Sequence, residues 1–156
     1  MQPRAIGVLY RQTKVKRRYS VLLEDSGSDP PTQSFYWPAD DADERGPTTA
    51  DRMARYAAEA PALSAMACRR ALADAGVPAG EITHLVTVSC TGFAAPGVDL
   101  ELISRVGLPA GVSRTHIGFM GCHALLNALR AASAFAAADP AARVLVAAVE
   151  LCSLHH

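Results

Sequence analysis

The chain has 156 residues, enough for one domain with a sizeable core. Fifteen Lys and Arg offset fifteen Asp and Glu, which argues against a dedicated nucleic-acid binder, and half the residues are hydrophobic, which excludes wholesale disorder. No apolar run approaches the roughly 18–20 residues of a membrane span, and the N-terminus carries no signal-peptide pattern, so the expectation is a soluble cytoplasmic protein without membrane or nucleic-acid partners.

Residues 1–47 are irregular. Lys14, Lys16, Arg17 and Arg18 form a basic cluster, and Tyr19–Leu23 has the composition of a short strand. The run Asp25-Ser-Gly-Ser-Asp-Pro-Pro31 is turn chemistry, because Pro fixes φ, Gly permits positive φ, and Asp and Ser bond nearby backbone. Phe35-Tyr-Trp37 holds the only Trp and reads as a small packing anchor.

Helical spacing begins at Thr48, and 48–156 reads as a second segment, a single partial domain. Thr48 or Thr49 can cap a helix whose apolar positions are Met53, Tyr56, Ala57, Ala60, Leu63, Ala67 and Leu72. Pro61 is expected to kink this helix, and Gly76 and Pro78 to stop it. Ile82–Cys90 reads as a buried strand, 91–97 as a loop, and Asp99–Val106 as a short helix closed by Gly107. Arg114–Phe119 is a second strand, Cys122–Ala138 an alanine-rich helix, and Arg143–Glu150 a third strand. This alternation predicts a layered α/β core.

The four cysteines, at 68, 90, 122 and 152, form neither a CxxC pair nor a dense framework, so they are expected to be free thiols. Cys122 stands out because Gly121 permits a tight turn between a strand and the helix that Cys122 begins. Unpaired N–H groups and the positive dipole end at a helix start stabilise an anion, which for cysteine means a thiolate and a better nucleophile. The competing reading on spacing alone is a small buried cysteine. His123 follows directly, and consecutive helix residues point about 100° apart, so it is expected to be a polar or packing residue rather than the proton acceptor. Cys152 with His155 or His156 is half a zinc site with no second pair, so no metal is expected.

Several segments resemble one family. They are Lys16-Arg-Arg-Tyr19, Ile82-Thr-His-Leu-Val86, Cys90-Thr-Gly-Phe-Ala-Ala-Pro-Gly97, Gly121-Cys122, Ala142-Arg-Val-Leu-Val146 and Glu150-Leu-Cys-Ser-Leu154. In this order, from about Val15 to His156, they resemble the type III polyketide synthases, the chalcone and stilbene synthase family, and the Ser89-Cys-Thr-Gly-Phe93 form with Asn127 resembles its bacterial branch.

The resemblance implies a thiolase-like fold of two similar halves, of which about the first is present, and a homodimer. It implies that Cys122 accepts an acyl starter from acyl-CoA, that malonyl-CoA supplies the extending carbanion, and that no further cofactor is needed. It places Cys90, Thr91, Cys152 and His155 along the substrate cavity and Ala95 at a position that reaches the partner subunit. Lys14, Lys16 and Arg17 fall near the entrance for CoA phosphates, although Gln12 stands where one Lys is expected. A solvated charge run is the rival reading of that cluster. The family's His, Asn and gating Phe lie downstream of the nucleophile, past His156, and most of its N-terminal region precedes the basic cluster. The chain therefore reads as a fragment or truncated product, expected not to condense alone. Two alternatives are a β-ketoacyl carrier-protein synthase III-like enzyme and a non-catalytic remnant that associates with a thiolase-like partner.

Overall fold

The computed structural model describes residues 3–17, 19–25, 27–28, 32–36 and 46–155. Helix α1 spans Pro3–Gln12, which corrects the expectation that residues 1–47 are irregular throughout. The Thr13 hydroxyl caps it by donating to the Tyr10 carbonyl at 2.8 Å, and Lys14 turns the chain away with φ 55°. Lys14, Lys16 and Arg17 are exposed beyond it; Arg18 lies outside the described residues, as do Trp37 and His156.

The expected strand over 19–23 does not form. Residues 21 and 22 make a turn instead, and the only pairing nearby among the described residues is an isolated bridge between Asp25 and Thr32. The apolar content of this segment reflects anchoring. Leu22 is buried with Tyr56, Ala60, Val98, Val149, Leu151 and Leu154, and the Ser20 hydroxyl donates to Ser153 at 2.8 Å. Phe35 and Tyr36 meet edge to face at 5.3 Å against the same cluster, in keeping with a packing anchor. Of the expected 25–31 turn, four residues lie outside the described set; Asp25 accepts the Gly27 amide at 2.8 Å.

Helix α2, Thr49–Ala75, starts and stops where the sequence predicts. Thr48 and Asp51 form a reciprocal capping box, and Gly76 ends the helix in the left-handed region at φ 63°. The helix continues through Pro61, which is buried. Its inner face differs from the expected stripe: Tyr56, Ala60, Pro61, Ser64, Ala65, Cys68 and Leu72 are buried, whereas Ala57, Leu63 and Ala67 face outward. The steps of four from Tyr56 to Leu72 carry mostly small residues, which let the helix backbone lie close to the strands beneath it.

Strands β1 (His84–Ser89), β2 (Ser113–Gly118) and β3 (Val144–Ala148) form a parallel sheet in the order β2-β1-β3. Helix α3 (Val98–Val106) joins β1 to β2, and α4 (Ala124–Ala138) joins β2 to β3. The central β1 is buried on both faces, which is why it reads as a continuous run rather than an alternation. Leu85, Leu145 and Ala147 point to α2 and α3, while Val86, Val88, Val144 and Val146 point to Ala124, Ala128 and Phe135 of α4. The result is a helix–sheet–helix sandwich. Strand β1 ends one residue early because the Cys90 amide is taken by the Glu150 carboxylate rather than by the ladder.

Candidate active site

In a parallel sheet the loops beyond the strand C-termini converge on one edge, where chemistry collects. Three of the four cysteines lie there: Cys90 directly after β1, Cys122 beyond β2, and Cys152 beyond β3. The fourth, Cys68, is buried under the sheet, and its burial pushes the thiol above its ordinary value.

Two residues in the left-handed region, Phe119 at φ 59° and Gly121 at φ 67°, turn the chain sharply after β2. Glycine is required at 121 because an L side chain is strained there, whereas Phe119 accepts that strain. The expectation that α4 begins at Cys122 is corrected by one short turn. Gly121–His123 is a 3-10 turn, and α4 starts at Ala124 with its amide bonded to the Gly121 carbonyl. A 3-10 turn of this kind is common at the N-terminus of an α-helix.

Cys122 is exposed on that turn, and among the described residues no side chain hydrogen-bonds its thiol. His123 is also exposed and makes no capping bond to α4, so the structure places it beside the thiol without joining the two. Phe119 and Phe93 meet edge to face at 6.1 Å across the mouth of the site. Asn127, one turn into α4, donates to the Met120 sulfur at 3.6 Å and accepts from Arg130 at 3.4 Å.

Of the remaining expected cavity residues, Cys90, Thr91 and His155 are bound into one network. The Glu150 carboxylate accepts the Cys90 amide at 2.9 and 3.1 Å, the Thr91 amide at 3.0 Å and the Thr91 hydroxyl at 2.6 Å. The Thr91 hydroxyl in turn accepts the Leu151 amide at 2.8 Å, and His155 Nε2 lies 2.6 Å from the Thr91 carbonyl. Cys152 and His155 share the 3-10 turn Cys152–His155. Cys90 connects this network to the nucleophile turn, since its Sγ contacts the Gly121 carbonyl at 3.6 Å.

Glu150 is the residue that sequence reasoning passed over as a site component. Its signal was present: a carboxylate directly after the apolar run Val144–Val149, at the C-terminal end of a strand, where site loops gather. Beneath the network, the buried Tyr56 hydroxyl donates to Ser89 at 2.7 Å, and burial pushes its phenol above the usual value. Gly92 packs so closely on this ring that an added Cβ would sit 2.2 Å from it. Lys14, Lys16 and Arg17, the expected CoA-phosphate residues, make no side-chain ion pair among the described residues.

A parallel α/β sandwich that carries a cysteine at the turn into a helix, at the C-terminal edge of its sheet, is a thiolase-like arrangement. Comparison with known proteins is specific. The family of chalcone and stilbene synthases, N-terminal domain, matches residues 5–156. The mycobacterial "Alpha-pyrone synthesis polyketide synthase-like Pks18" (Mycobacterium tuberculosis) is 42% identical over 108 residues, 69% of this chain and 28% of the relative. "Type III polyketide synthase 21" of Oryza sativa is 37% identical over 142 residues, 91% of this chain and 34% of the relative. Among solved structures, CsyB complexed with CoA-SH superposes with a TM-score of 0.73 at 28% identity, covering 99% of this chain and 39% of that one. The type III polyketide synthase domain of Steely1 from Dictyostelium gives a TM-score of 0.66 at 43% identity, covering 67% of this chain and 29% of that one. The chain belongs to the chalcone and stilbene synthase family, the type III polyketide synthases, and matches its N-terminal domain. It spans about a third of the length of these relatives. No helix among the described residues is long and apolar enough to cross a membrane.

Proposed function

We propose that this chain provides the acyl-accepting cysteine of a cytoplasmic type III polyketide synthase, with Cys122 as the nucleophile. The observation that carries the reading is the position of Cys122: an exposed thiol on a glycine-dependent turn at the C-terminal edge of the sheet, within the segment that matches the family. The Cys122 sulfur attacks the carbonyl of an acyl-CoA, the tetrahedral oxyanion collapses, CoA leaves as its thiol, and the acyl group remains as a protein thioester. A thioester suits the condensation step, because its carbonyl stays electrophilic toward the carbanion formed when malonyl-CoA loses CO2.

Acyl-CoA and malonyl-CoA are thus the substrates, with no further cofactor. On this reading Thr91, Cys90, Cys152 and His155 border the growing chain, and the exposed Lys14, Lys16 and Arg17 meet the CoA phosphates. The working assembly on this reading is a homodimer. Condensation also needs placed donors for the enolate and oxyanion; loss of one such donor typically costs about 10²–10³ in rate. The resemblance assigns that work to a His and an Asn that are not among these 156 residues, so a polypeptide of these residues by itself is expected to acylate without extending.

The experiment is incubation of the chain with hexanoyl-CoA, with and without radiolabelled malonyl-CoA, followed by intact-mass and peptide analysis. The expected result is one hexanoyl group on the 115–130 peptide, absent in Cys122→Ala, and no extended product. An adduct on another residue, or none in folded protein, overturns the assignment.

A further inference from the structure

Resting on the reading of Cys122 as the reactive thiol, we propose that Cys90 is its resolving partner, so that oxidation by a peroxide closes a reversible Cys90–Cys122 disulfide. Strands β1 and β2 are neighbours in register, with Ser89 opposite Gly118, so the chains leave the sheet side by side. The β1 chain reaches Cys90 at once. The β2 chain takes the tight turn through Phe119 and Gly121, which folds Cys122 back toward β1 instead of letting it run on. The outcome is the 3.6 Å contact of Cys90 Sγ with the carbonyl of Gly121, the residue bonded to Cys122.

Across a planar trans peptide that oxygen lies roughly 3 Å from the next Cα. The Cys90 sulfur is therefore within roughly 6–7 Å of the Cys122 Cα, close enough for the two sulfurs to meet once both side chains rotate and the exposed 121–123 turn shifts toward β1. The two thiols also differ in the way such a pair requires. Cys122 is exposed and meets a diffusing oxidant first, whereas Cys90 is half-buried with its amide pinned by Glu150. Cys90 therefore waits at a fixed position. Cys152 follows a different strand, at the far side of β1 from β2, and among the described residues no hydrogen bond joins it to the 121–123 turn.

The steps balance. The Cys122 sulfur attacks one oxygen of hydrogen peroxide, the O–O bond breaks, and the leaving hydroxide takes up a proton to give water and a sulfenic acid. The Cys90 sulfur then attacks the sulfenic sulfur, an S–S bond forms, and the hydroxyl leaves as a second water. Two thiols lose two electrons in all, and the peroxide gains them. Without a neighbour, a sulfenic acid is open to further oxidation to the sulfinic state, which thiol reductants do not reverse. Cys90 would thus spare the nucleophile while switching acyl transfer off.

The test treats the folded 156-residue chain with hydrogen peroxide, blocks free thiols with iodoacetamide, and maps tryptic peptides without reduction. Residues 105, 114 and 130 are arginines, so Cys90, Cys122 and Cys152 fall on separate peptides. The expected product joins the Cys90 and Cys122 peptides, disappears on treatment with dithiothreitol, and persists in Cys152→Ser. In Cys90→Ser, peroxide should instead drive Cys122 to the sulfinic state, with no recovery by dithiothreitol. A Cys122 peptide that becomes sulfinic in the unsubstituted chain, or that links to Cys152, overturns the proposal. Hexanoyl transfer to the reduced chain is scored separately. Its failure counts against Cys122 as the acyl acceptor, whereas a missing cross-link with normal acylation counts against Cys90 alone.

Discussion

Gly92 and Tyr56 show how a single small residue sets the floor of the site. The Tyr56 ring lies against the Gly92 backbone and sends its hydroxyl to Ser89 at the end of β1. A methyl group at 92 would meet the ring carbons at 2.2–2.7 Å, so the ring must move and its hydrogen bond to Ser89 must weaken. Gly92→Ala should therefore cost about 1–3 kcal/mol, as overpacking of a dense core does, and urea unfolding measures it. An unchanged midpoint would show that the ring has free space after all. The Tyr56 phenol is raised chiefly by burial, so its contribution to stability is intact at and below the ordinary tyrosine range near pH 10 and fades as pH climbs through the raised native value. At this scale the sequence was informative where backbone chemistry is local, as at Gly121 and Thr48. For Glu150 it showed a carboxylate after an apolar strand but not its partners, which lie 59 and 60 residues away.

Helix α2 was legible almost to the residue at both ends, because a capping box and a glycine stop are written in contiguous sequence. Its buried face was less legible, since alanine fits either face and only the neighbouring strands decide which alanines are covered. The 3-10 turn at Cys122 and the helix at Pro3–Gln12 were missed for different reasons: one is a single short turn at a helix start, the other is only ten residues long and has no acidic residue in its first turn to mark its start. The cap gives a direct test. Thr48→Ala removes the side-chain acceptor of the Asp51 amide, 3.2 Å away, and should lower stability by about 1 kcal/mol at neutral pH. Hydrogen bonds from the Thr48 hydroxyl and amide hold the Asp51 carboxyl below its ordinary value. A depressed carboxyl stabilises above its unfolded value and loses that effect as pH falls through the lowered native value. The difference between the two proteins should accordingly shrink in acid, and a pH-independent difference would assign the effect elsewhere.

The whole molecule presents apolar side chains that its own fold does not cover. Leu125, Leu126 and Leu129 on the outer faces of α4, with Phe93, Phe119 and Met120 beside the site, are all exposed. A surface of this kind drives association. The purified chain should therefore elute from size-exclusion chromatography as dimers or larger species that shift with concentration, and Leu126→Glu with Leu129→Glu should move it toward monomer. A single monomer peak across a wide concentration range would contradict this. The layered α/β class and the family were readable in advance because strand–helix alternation and short ordered motifs survive without tertiary detail. Which of the three cysteines at the sheet edge are neighbours was not, since strand order rather than strand sequence places β1 between β2 and β3.

The central claim is that Cys122 alone among the four thiols is built to accept an acyl group, and competitive alkylation tests it most directly. Iodoacetamide rates at near-neutral pH, read by mass spectrometry for each cysteine peptide, should be fastest at Cys122 and slowest at Cys68, which is buried with its thiol pushed up. Prior incubation with hexanoyl-CoA should then block alkylation at Cys122 and leave the other three rates unchanged, while CoA itself blocks none. Alkylation of Cys122 no faster than Cys68 in folded protein, or hexanoyl-CoA protection at a different cysteine, would contradict the account.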